Sequence, residues 1–90
     1  MYLWKVNIRI EPHTLIRANE RGATEDEIIN TIKNGIEIIG KKGRAGKCKV
    51  FEFKTERNGK FYDEKKLEIF YVLEADVIIT VTVYVYYGKF

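Results

Sequence analysis

Eleven consecutive residues, Val77 to Tyr87, are all β-branched or tyrosine, with no glycine, proline or charge among them. Such residues lose rotamer freedom in a helix and pack well on a pleated surface, so this run predicts the longest strand of the chain, central in its sheet. It is far too short for a membrane helix and is interrupted by threonines. Strict alternation puts Val77, Ile79, Val81, Val83 and Val85 on one face, expected to be core. Ile78, Thr80, Thr82, Tyr84 and Tyr86 fall on the other. That Thr/Tyr face reads either as ordinary sheet surface or as a shallow groove that binds phosphate, stacks on bases or orients a nucleophile.

A strand of this kind needs neighbours, and the preceding sequence supplies them. Lys66 to Glu74 alternates with Leu67, Ile69, Tyr71 and Leu73 on one side, and Ala75-Asp76 turns it into the long strand. Lys47 to Thr55 reads as a strand carrying Val50, Phe51 and Phe53. Arg57-Asn58-Gly59-Lys60 supplies a hairpin turn through Asn-Gly. A strand resumes over Lys60 to Tyr62, and Asp63-Glu64-Lys65 is expected to separate it from the next. At the other end, Leu3 to Ile10 alternates Trp4, Val6, Ile8 and Ile10 with Lys5, Asn7 and Arg9.

Two helices lie between. Pro12 suits a first helical position, and Gly22 is a plausible stop. At about 100° per residue, His13, Arg17 and Arg21 share one side while Leu15 and Ala18 face a core. Thr24-Glu25-Asp26-Glu27 is a capping box that opens a second helix, Glu25 to Asn34. Ile28, Ile29 and Ile32 are its buried stripe, and Gly35 ends it. Ile36 to Ile39 allows a short extended piece, and residues 40–46, GKKGRAG, read as a mobile loop. The order is β-α-α followed by three or four antiparallel strands, an α+β domain spanning residues 1–90.

Composition narrows the function classes. One histidine and one cysteine leave no credible zinc site, and Cys48 is expected as a buried strand thiol. Nothing at the N-terminus reads as a signal peptide, so the cytoplasm is the default location. The net charge is +3, but residues 41–66 hold ten Lys/Arg against four Asp/Glu, a local +6 that leaves −3 elsewhere. A basic middle segment attracts acidic partners, nucleic acid above all, or it protects loops and edges from aggregation.

His13 one turn before Arg17 suggests phosphodiester chemistry. An imidazole moves protons near neutral pH, and a guanidinium grips phosphate oxygens with two parallel hydrogen bonds. The alternative is a solvated helix face. Lys41, Lys42, Arg44 and Lys47 surround glycines whose backbone amides can cradle a phosphate, although the Walker pattern is absent.

His13-x3-Arg17-x3-Arg21-Gly22, followed by Ala23-Thr24-x2-Glu27-Ile28, resembles the opening of domain-of-unknown-function family 4258. The later K-V, L-x-I-x-Y-V and T-V-Y-x-Y-Y-G-K stretches resemble it too. The likeness runs from about Ile8 to Phe90. The family's usual aliphatic residue after the Arg-Gly pair is Ala23 here, and a strand precedes the helix. That family is grouped with the RelE-like toxins and the wider barnase, EndoU and colicin nuclease superfamily. The resemblance implies an N-terminal strand and two helices packed on a curved, mainly antiparallel sheet of three to four further strands. It implies metal-independent RNA cleavage, with no cofactor, by a short prokaryotic protein. It picks out His13 and Arg17 as catalytic, with Thr82 and Tyr84 from the last strand orienting the 2′-hydroxyl or the phosphate. Arg21, Lys41, Lys42, Arg44, Lys47 and Tyr86 would bind the RNA, free or ribosome-associated. The alternatives are a non-catalytic nucleic-acid-binding module, or an interaction protein that pairs with an antitoxin or with itself.

Overall fold

The computed structural model describes residues 7–90. In chain order they form β1 (Asn7–Arg9), α1 (Pro12–Glu20), α2 (Glu25–Asn34), β2 (Ile36–Ile39), a 3-10 turn (Lys41–Gly43), β3 (Ala45–Arg57), β4 (Lys60–Glu74) and β5 (Val77–Gly88). The expected strand over Leu3–Ile10 is seen at Asn7–Arg9. Its proposed apolar positions Trp4 and Val6 lie outside the described residues.

One mixed sheet contains all five strands in the order β1-β5-β4-β3-β2. Neighbours β2 to β5 are antiparallel, while β1 runs parallel to β5 over Val77–Ile79 only. The sheet is therefore larger than the three or four strands expected, because β1 and the short Ile36–Ile39 piece both join it. The expected break at Asp63-Glu64-Lys65 is also absent: β4 is continuous for 15 residues. Register explains this. Glu64 pairs with Glu52 and Gly88, and Lys65 with Phe51 and Tyr87, so neighbours on both sides hold the charged stretch extended. Tertiary pairing overrides the turn-like composition.

Both helices pack on one face of the sheet. Ala18 of α1, Ala23 of the connection and Ile28 and Ile32 of α2 bury against Leu67, Ile69 and Val83. The capping box forms as the sequence predicts: Thr24 Oγ1 accepts from Glu27 N–H, and Glu27 Oε1 accepts from Thr24 N–H. In the α2 stripe, Thr31 is buried, bonding back to the Glu27 carbonyl at 2.8 Å, while Ile29 is only half-buried.

The valine face of β5 is not continuous. Phe70 pairs with Thr82 and Tyr71 with Thr80, so Val81 is an extra residue, a β-bulge. A one-residue insertion exchanges the faces. Before it, Ile78 and Thr80 turn toward the helices; after it, Val83, Val85 and Tyr87 do. Val81 itself is exposed. In β4 the buried series ends at Ile69, and Leu73, opposite Ile78, is 65% exposed.

Candidate functional site

The face of the sheet away from the helices is open, and its rows follow from the register. Cys48, Glu68 and Tyr84 form one row across β3, β4 and β5. Gly46, Phe70 and Thr82 form the next toward the bulge, and Val50, Lys66 and Tyr86 the next away from it. Cys48 is thus half-buried on the open face and is not the core thiol expected.

A shallow cleft of about 520 Å³ crosses this face. Glu68, Phe70, Val81, Thr82, Tyr84 and Tyr86 make its floor, and Lys41 and Arg44 rise from the β2–β3 turn at its rim. Two glycines shape the floor. A Cβ at Gly40 would lie 2.5 Å from the Phe70 ring, and one at Gly46 would lie 2.7 Å from it. Their bare backbones leave room for that ring. Phe70 meets Tyr84 edge-on at 6.1 Å, and Tyr84 stacks on Tyr86 at 6.4 Å, giving a connected aromatic surface.

Glu68 is the charged centre of this surface. Lys66 Nζ lies 3.6 Å from Glu68 Oε2 and over the rings of Tyr86 and Phe90 at 5.3 and 4.9 Å. The Tyr86 hydroxyl lies near the Glu68 carboxylate. Partial burial, then the Glu68 charge, then Tyr84 push its ionisation above the ordinary tyrosine value. Tyr86 therefore stays protonated at neutral pH, a proton donor beside Glu68. The opposite arrangement holds at a second recess of about 570 Å³ between β2 and Tyr71. Its one charged side chain is Glu37, so it lacks a group for an anion.

The cleft gathers Lys41, Arg44, Thr82, Tyr84 and Tyr86 of the residues selected from sequence. Lys42 sits in the same turn with φ 59°, exposed and outside the cleft lining. Residues 40–46 are not a loose loop but the turn and first pairs of a hairpin. Gly40 N–H donates to Arg44 O at 2.7 Å, Gly43 N–H to Gly40 O, and Arg44 N–H to Lys41 O. Those three amides are committed to the turn. Lys47 pairs with Ile69, on the helix side, and reaches Glu37 at 4.0 Å. It is not in the cleft.

His13, Arg17 and Arg21 are separated from the cleft because α1 lies on the covered face. Thr14 and Ala18 are buried, so the inward side of α1 is turned toward Arg21 by more than Leu15 and Ala18 alone suggest. Arg21 Nη1 donates to Val83 O at 3.0 Å, and Arg21 O accepts from the Tyr87 hydroxyl. Lys65 Nζ donates to Gly22 O at 2.9 Å, and Arg57 donates to Glu20 O at 3.0 Å. The Arg21-Gly22 pair is thus a clamp between the helix connection and the sheet. His13 and Arg17 are exposed. Glu68 was missed from sequence because it reads as an ordinary polar position of an alternating strand; only the register reveals it beside Tyr84 and Lys66.

Comparison with family models, curated proteins and solved structures finds no match to this chain.

Proposed function

We propose that the protein is a small, toxin-like, metal-independent endoribonuclease of RelE-like architecture whose RNA site is the open face of the sheet. The observation that carries this reading is the grouping of Glu68, Tyr84, Tyr86, Lys41 and Arg44 around one cleft. Exposed aromatic rings bordered by cations suit single-stranded RNA, whose unpaired bases stack while its phosphates meet Lys and Arg.

In this reading Glu68 takes the proton of a 2′-hydroxyl, and the 2′-oxygen attacks the adjacent phosphorus. Arg44 and Lys41 offset the charge gathering on the phosphorane oxygens. The bond from phosphorus to the 5′-oxygen breaks, and Tyr86 supplies that oxygen with a proton. Glu68 then returns its proton to the neighbouring Tyr86, which restores both groups. The products are a 2′,3′-cyclic phosphate and a 5′-hydroxyl. Thr82 and Tyr84 position the strand. Glu68 thereby takes the role that the sequence offered to His13, since His13 is carried on the opposite layer.

Incubating labelled single-stranded RNA with the protein in excess EDTA tests the reading. Cleavage by wild type and by His13→Ala, with loss in Glu68→Gln, supports it. Salt-sensitive binding without cleavage points to a nucleic-acid-binding module.

A further inference from the structure

We propose that the recess between β2 and Tyr71 binds a primary ammonium group carried on a short alkyl chain, with Glu37 as its counter-ion. The proposal is independent of RNA cleavage. Strand register puts the groups that matter on one side of the sheet. Glu37 pairs with Lys47, which pairs with Ile69 on the helix side; Ile39 pairs with Ala45, two residues further along the same face. Tyr71 stands two residues beyond Ile69 in β4, which is regular here because the extra residue, Val81, belongs to β5. Glu37, Ile39, Ala45 and Tyr71 thus share a face and line one recess of about 570 Å³, a volume in the range of small-molecule sites.

The lining selects a cation with an apolar body. Glu37 is its only charged residue. The Glu37 side chain is 82% exposed, and its ion pair with Lys47 is long, 4.0 Å from one carboxylate oxygen. Among the described residues that is its one ion pair, so the carboxylate has room for a second cation. Tyr71 is half-buried, and burial first, then the Glu37 charge, raises its ionisation. The phenol is therefore neutral at neutral pH: its oxygen can accept an ammonium N–H, and its ring face attracts the same charge. Ile39, 81% exposed, and Ala45 offer apolar surface to the methylenes. An anion would be repelled by Glu37, and an alcohol would leave that charge unanswered. The cleft on the open face is a poor competitor, because Lys66 already lies 3.6 Å from Glu68 and Lys41 and Arg44 repel a cation at the rim. Two sources share the required chemistry, a free alkylamine and the side chain of a lysine.

The test titrates the isotopically labelled full chain with hexylammonium, hexanoate, hexanol and Nα-acetyl-lysine methylamide at constant ionic strength, following backbone amide shifts by NMR. Hexylammonium is expected to give saturable shifts at Glu37, Ile39, Ala45 and Tyr71 in the millimolar range. Hexanoate should give none there, and hexanol should bind at least about threefold more weakly, the scale of an exposed ion pair. Glu37→Gln, a change at an exposed position, should weaken hexylammonium by the same factor. Tighter binding of the lysine derivative than of hexylammonium supports the site with a lysine side chain as the source; weaker binding supports it with a free amine. The proposal is overturned if hexylammonium gives no saturable shifts at these residues, if hexanoate or hexanol matches it, or if Glu37→Gln binds it unchanged. Shifts confined to Tyr84 and Tyr86 would also overturn it, because the amine would then occupy the open cleft.

Discussion

Single side chains decide both the chemistry and the anchoring of the helical layer. Lys65 is 6% exposed, yet its ammonium is fully engaged: Glu27 at 2.8 Å, the Gly22 carbonyl at 2.9 Å and the Phe53 ring at 5.5 Å. Lys65→Met would strand the Glu27 carboxylate and the Gly22 carbonyl, and should lower the unfolding free energy by about 3 kcal/mol, read by urea denaturation. Thr14 presents the opposite case. Its hydroxyl is buried and has no hydrogen-bond partner among the described residues. Thr14→Val keeps the shape and removes that cost, so the same measurement should show a gain of about 1 kcal/mol. Residue roles were only partly legible in the sequence. Arg21 reads like a phosphate ligand and is a clamp; Glu68 reads like a solvated strand position and is the centre of the cleft. What separates the two cases is strand register, which no local pattern encodes.

At the scale of elements, local signals succeeded where the cause of structure is local. The capping box of α2, Pro12 at the start of α1 and the Asn58-Gly59 turn all formed as expected, because neighbouring residues supply the hydrogen bonds or dihedrals. The bulge at Val81 was invisible, since its residue type is as good a strand former as any beside it. Its consequence is large: Thr80 becomes core and Val81 surface. Deleting Val81 should leave Thr80 opposite Tyr71 and Thr82 opposite Phe70, with both faces preserved. That variant should remain folded, with a loss of only about 1 kcal/mol, while deleting Val83 should flip Tyr84–Gly88 and cost at least about 3 kcal/mol. Thermal melts of the two deletions compare them directly.

Across the whole molecule, the architecture divides labour between two faces of one sheet. One is closed by α1 and α2 and holds the apolar core. The other is open and gathers tyrosines, Glu68 and the cations of the β2–β3 turn. Tyrosines on both faces couple stability to high pH. Burial is the leading cause of a raised ionisation at Tyr71, Tyr86 and Tyr87; Glu37 adds to it at Tyr71, Glu68 at Tyr86, and Arg57 partly opposes it at Tyr87. A raised folded value means the unfolded chain ionises first, near its ordinary value of 10.0. These contributions are therefore complete below pH 10 and disappear as pH climbs through the folded values. Melting temperature should hold level up to about pH 10 and then fall. A Tyr71→Phe, Tyr86→Phe double variant should fall less steeply.

The central claim is that the open face, not the exposed histidine of α1, carries the chemistry. Cleavage of a labelled single-stranded RNA in excess EDTA, comparing wild type, His13→Ala and Glu68→Gln, tests it most directly. The account predicts cleavage by the first two and a loss of about 10²-fold or more in Glu68→Gln, with its melt nearly unchanged. Full activity in Glu68→Gln, or cleavage abolished by His13→Ala alone, would contradict it.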